Sequence, residues 1–112
     1  MQNTTTTAPK FLNAHGYSDV IPYEVVRVIS EQTVEIREMS ATLDPSWKME
    51  STPGGFCRHV SNQDSQRWII ASEPSNPVIR ARRTKRGTWN AKGARGVLIA
   101  ADKPTRFYDY NF

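Results

Sequence analysis

Residues 22–39, PYEVVRVISEQTVEIREM, narrow the possible folds more than any other part of the chain. Two β-branched runs, 23–29 and 33–39, flank the polar connection Ser30, Glu31 and Gln32. In the second run Val34 and Ile36 alternate with Glu35 and Arg37, a period of two that gives a strand one dry and one wet face. An antiparallel hairpin is the expected result, because β-branched side chains suit a pleated surface better than a helix.

The rest of the chain repeats this economy of short runs and breakers. SATLDPSWKMESTPGG, from Ser40 to Gly55, holds two prolines and a Gly-Gly pair and reads as a long irregular excursion spanning 40–66, with Trp47 plugging the core from it. SQRWIIA predicts a strand around 68–70, which the two prolines of SEPSNP end. In VIRARR, Val78, Arg80 and Arg82 share one face and Ile79, Ala81 and Arg83 the other, and TKRG supplies a turn with Gly87 free to take a positive φ. TWN, GVLIA and RFYDYNF predict three more strands. About seven short strands without an amphipathic helix point to an all-β barrel or sandwich.

A chain of 112 residues is expected to form one domain, here 11–112, behind a disordered threonine-rich tail, 1–10. The one cysteine excludes an internal disulfide and fits a reducing compartment, so the expected location is cytoplasmic. No run approaches the roughly 18 apolar residues of a membrane span, so no membrane partner is expected.

Charge is unevenly spread. Residues 1–77 hold six Lys or Arg against nine Asp or Glu, whereas 78–106 hold nine against Asp102 alone. Arg80, Arg82, Arg83, Lys85, Arg86, Lys92 and Arg95 are therefore the candidate binding residues for an anionic partner, a nucleic acid or nucleotide. Trp89, Phe107 and Tyr108 interleave with the cations and would stack on bases if exposed, or fill the core if buried. A solvated basic face is the bland alternative.

PGGFCRHVSNQDSQRW, residues 53–68, raises the question of catalysis. Cys57 and His59 leave one face of a strand, with Asn62 or Asn90 near enough in principle to orient the imidazole. No helix start is present to activate the thiol, and nucleophile and base usually come from distant segments, so the expectation is no enzyme. With two histidines, one cysteine and neither Cys-x-x-Cys nor His-x-x-x-His spacing, no metal and no cofactor is expected. His59, Asn62, Gln63, Gln66 and Trp68 form a polar centre, either a self-satisfied structural network or a surface that reads a planar ligand edge.

The order YSDVIPYEVV, REMSA, PGGFCRHVSNQDSQRW, RTKRGTWNAKG and FYDYNF resembles small proteins encoded by tailed phages and prophages, over residues 17–112. The resemblance implies a small SH3-like barrel whose recurrent polar centre is Gly54, Gly55, Phe56, His59, Asn62, Gln63, Gln66 and Trp68, with Asp19 and Asp109 nearby. It implies an origin, and so the cytoplasm of a bacterial host, but no activity. The expected role is that of a non-enzymatic phage binding protein. The alternatives are a protein–protein inhibitor of a host defence system, anti-CRISPR-like or other, and a minor virion structural protein.

Overall fold

The structure is a computed structural model that describes residues 8–54 and 57–111, and the side chains of 52–58 are outside what it describes. In chain order the strands are β1 (Phe11–His15), β2 (Val20–Ser30), β3 (Thr33–Glu38), β4 (Ser40–Leu43), β5 (Ser51–Gly54), β6 (Cys57–Val60), β7 (Trp68–Ala71), β8 (Val78–Arg83), β9 (Trp89–Ala91) and β10 (Val97–Ala101). Six of them close an antiparallel barrel in the order β1, β10, β9, β8, β3, β2, a form compatible with a small SH3-like barrel. Closure removes the free edges on which strands of separate molecules would otherwise pair.

Strand alternation fills the barrel. Leu12 and Ala14 of β1, Tyr23 of β2, Val34 and Ile36 of β3, Ala81 of β8, Trp89 of β9 and Leu98 of β10 point inward and form one buried cluster. Burial also holds the Tyr23 phenol above its ordinary pKa, helped by the Glu38 carboxylate. The β2–β3 hairpin is the one the β-branched runs predict, with Glu35 opposite Arg27 and Arg80 on the wet face. Its register slips twice, between Val25 and Arg27 and between Val28 and Ser30. Each bulge adds local twist and bends the strand. Val28 keeps its place opposite Val34, at the open end of the barrel.

The excursion is more ordered than its prolines and glycines predict. It contains the β5–β6 sheet, the strand β4, which pairs with β7 just beyond it, and a short 3-10 turn at Gln63–Ser65. Trp47 is buried, but against Tyr110 rather than in the barrel cluster. RFYDYNF is not a strand: Phe107 makes an isolated bridge to Val20, and the flanking residues run as a strap. Pro104 lacks the N–H a ladder needs, and apart from the Phe107 bridge the N–H groups of Thr105, Tyr108 and Tyr110 bond to side chains instead. β1 begins at Phe11, and Ala8, Pro9 and Lys10, assigned to the tail by the sequence, line the open end, with Lys10 O accepting from Val25 N at 3.1 Å; 1–7 are outside the described residues.

The topology sorts the connections to two ends. The β2–β3 and β8–β9 turns, the approach to β1 and the exit from β10 share one end, here the mouth. The excursion, the β1–β2 loop, the β9–β10 loop and the end of the strap share the other. Among the described residues no helix is long and apolar enough to cross a membrane.

Candidate anion-binding face and the amide clasp

The polar centre resolves into side-chain amides standing in for peptide groups. The Gln66 amide donates through Nε2 to the Tyr108 carbonyl at 2.9 Å, and its Oε1 accepts from the Tyr108 N–H at 2.9 Å. Asn62 treats its own excursion the same way, donating to Lys48 O and accepting from Glu50 N, both at 2.8 Å. Gln63 Oε1 accepts from Tyr110 N at 2.8 Å. Trp68 Nε1 donates to Gln66 Oε1 at 2.6 Å, which ties the indole to the same group. Four of the five predicted residues are therefore brought together, the three amides spent on the protein's own backbone and Trp68 on Gln66. His59, on β6, is exposed and takes part in none of these bonds.

Sequence reasoning missed most of the partners, Asp19 and Asp109 alone having been placed near the centre by the resemblance. Asn111, near the strap's end, pairs both its amide atoms with the backbone of Val60 at 2.8 and 2.9 Å. Asn13 does the same to Lys103 O and Thr105 N at 3.0 Å, so the strap is held where it crosses β1. Asp19 Oδ1 accepts from Asp109 N at 2.9 Å. Arg106, counted among the basic residues, donates to Val20 O and Phe107 O while its guanidinium lies 5.0 Å from the Trp68 ring centroid and 5.7 Å from that of Tyr108. Tyr110 sits edge-on to Tyr108 and stacks with Trp47, and burial raises its phenol pKa. A backbone partner carries no residue signature, so only the unusual density of Asn and Gln signalled the clasp.

Cys57 opens β6, but its side chain lies outside the described set, as do Gly55 and Phe56. Asn62, engaged with Lys48 and Glu50, is not an imidazole partner, and Asn90 lies in the barrel wall opposite Arg82. Among the described residues no three His, Cys, Asp or Glu side chains gather as a metal site would require.

The seven candidate cations fall into three places rather than one stripe. Arg80 and Arg82 are exposed on the outer wall, where Arg80 meets the Glu35 carboxylate at 3.5 Å. Arg83, Lys85 and Arg86 rim the mouth around a cleft of about 420 Å³ completed by Gln32, Thr84 and Gly87. Lys92 and Arg95 are carried to the opposite end, because β9 is three residues long and the chain has turned over before it reaches them.

The β8–β9 turn that presents the middle group is well defined. Thr84 N donates to Thr88 O at 2.8 Å and Gly87 N to Thr84 O at 3.0 Å, with Gly87 at φ 92°. This is the three-residue hairpin loop that needs glycine in its left-handed position. Lys85 and Arg86 take its two outer positions and stay exposed. Arg27 and Arg80 both meet Glu35, and Arg37 meets Glu24 at 3.2 Å; among the described residues Arg82, Arg83, Lys85 and Arg86 are in no ion pair.

Beside this turn the barrel end opens into a cavity of about 550 Å³. Val34 and Trp89 line its deep side, Val28, Ala100 and Pro9 its walls, and Lys10, Glu31, Arg83 and Asp102 its rim. No sequence motif marks it, because four separate segments supply it. Trp89 is a core ring, 4% exposed, rather than an open stacking platform.

No protein-family model matches the chain, and no curated protein or solved structure does either.

Proposed function

We propose that the protein is a binding protein for nucleic acid, engaging phosphates through Arg82, Arg83, Lys85 and Arg86. The observation that carries this reading is that these four cations, within five residues of β8 and its turn, are exposed and in no ion pair among the described residues, while the neighbouring Arg37 meets Glu24 and Arg27 and Arg80 share Glu35. Cations without carboxylate partners are the ones free to replace the counterions of a phosphate chain. Lys92 and Arg95, at the other end, have no part in this face. The tailed-phage resemblance supports action inside an infected bacterium.

The test is a titration of a labelled single strand at several salt concentrations. Binding should weaken steeply with salt, with a slope of about −0.7 per phosphate contacted. Absence of binding at low salt would reject the reading in favour of an inhibitor of a host protein. Pull-down from bacterial lysate with and without nuclease then identifies that partner.

A further inference from the structure

The mouth differs from the cleft beside it in a way that assigns the two different tasks. Following the strands around the barrel, the rim charges come in the order Lys10 before β1, Asp102 after β10, Arg83 at the end of β8 and Glu31 in the β2–β3 turn. Their signs alternate, so the mouth carries no net charge and has no preference for a phosphate. Among the described residues none of the four is in an ion pair. The adjoining cleft holds Arg83, Lys85 and Arg86 with no acidic residue. Arg83 and Gly87 border both, so a ligand spanning the two meets a neutral, apolar-walled chamber on one side of Arg83 and a cationic notch on the other.

Resting on the nucleic-acid reading above, we infer that the mouth seats the base of one nucleotide while its phosphate lies in the Arg83, Lys85 and Arg86 cleft. The volume of about 550 Å³ falls within the range of roughly 300–1,000 Å³ for sites that take a small organic ligand. Val28, Val34, Ala100 and the edge of Trp89 offer apolar contact for the ring. The polar groups around them select among bases. Glu31 and Asp102 are acceptors only when ionised, so they favour a base with an exocyclic amino group and disfavour one that presents a carbonyl there. Cytosine against uracil tests this choice: the amino group at C4 becomes a carbonyl oxygen, and the neighbouring N3 changes from an acceptor to an N–H donor. A duplex, whose base edges are already paired, does not offer the amino group in this way.

Anisotropy titrations with labelled dC and dU decamers, and competition by dCMP, test the inference. The dC decamer should bind about tenfold tighter than the dU decamer. The paired change Glu31→Gln and Asp102→Asn should erase that preference, because an amide also donates to a carbonyl. Ala100→Phe, which fills the mouth, should weaken the dC decamer about tenfold, and thermal melts confirm that both variants fold. Competition by dCMP that responds to the same changes marks the free nucleotide as a source of the seated group; competition by the decamer alone marks the strand. Equal binding of dC and dU decamers, untouched by either variant but lost when Arg82, Arg83, Lys85 and Arg86 are replaced by Ser, overturns the base seat and leaves the phosphate face standing. No binding by either decamer at low salt overturns both.

Discussion

Where the excursion joins the barrel, Asn62, Gln63, Gln66 and Asn111 commit their amides to the backbones of Lys48, Glu50, Tyr110, Tyr108 and Val60, and Arg106 is clamped between Trp68 and Tyr108. At the mouth, Lys10, Glu31, Arg83 and Asp102 surround a cavity and, among the described residues, none is in an ion pair. Both ends are rich in polar side chains, yet one has spent its hydrogen-bonding capacity on the fold and the other has kept it. Density of polar residues in a sequence therefore marks where polar groups are needed, and only their partners tell whether the need is internal.

The sharpest way to separate the two ends is to remove the free cations. Replacing Arg82, Arg83, Lys85 and Arg86 by Ser should lower affinity for a single strand by roughly two to three orders of magnitude at low salt and flatten the salt slope by about one unit per lost contact, with the melting temperature nearly unchanged. Lys92→Ser with Arg95→Ser should change little. Equal losses from the two sets in parallel titrations would mean diffuse attraction and dissolve the distinction between ends.

Gln66→Leu attacks the clasp. It strands the part-buried Trp68 N–H and frees the exposed Tyr108 N–H and carbonyl to turn to water, so the loss falls mainly on one unpaired group and on the lost tie to the strap. Urea denaturation should register a loss of about 1–3 kcal/mol, with strand affinity of the folded protein unaltered. An unchanged midpoint with collapsed affinity would make the polar centre the recognition site after all.

The barrel was legible because its signal is local: Val34 with Ile36 and Ile79 with Ala81 announce their inward face by alternation. The location of the clasp was legible too, in the run from Asn62 to Gln66, but its purpose was not. The groups it holds are backbone atoms of Tyr108 and Tyr110, more than forty residues away, and one peptide group looks like another. Arg80–Arg86 read correctly as a basic strand and turn. Lys92 and Arg95 seemed continuous with them until the three-residue β9 turned the chain over. The mouth had no signature at all, since closure alone brings Lys10, Glu31, Arg83 and Asp102 to one rim.

Gly96 is a smaller lever on the clasp end. It sits at φ 79°, and a Cβ there would collide with the carbonyl oxygen of His15. Gly96→Ala should cost about 2 kcal/mol in the same denaturation assay through backbone strain and displacement of the β1 terminus, again without an effect on salt-dependent binding. A neutral result would show that the β9–β10 loop can move away freely.

The smallest expected effect concerns pH. The Asp44 carboxylate accepts from the Ser46 N–H at 2.8 Å and hydroxyl at 2.7 Å, and these bonds hold its pKa below the ordinary value. A carboxyl depressed on folding adds stability that is fully present above its unfolded pKa of about 3.9 and is lost as pH falls through the folded value. Asp44→Asn keeps an acceptor for the turn and removes the titration. Denaturation midpoints of the two proteins should therefore differ slightly at neutral pH and converge in acid, whereas a constant gap at all pH values would place the effect elsewhere.

The division of labour between the two ends is tested most directly by backbone amide chemical shifts of the full chain during titration with a dC decamer. Shifts concentrated in Lys10, 28–32, 82–88 and 100–102, with 59–68 and 106–111 unmoved, are the expected pattern. Shifts led by 59–68 and 106–111 would contradict the account and return the amide cluster to the role of ligand site.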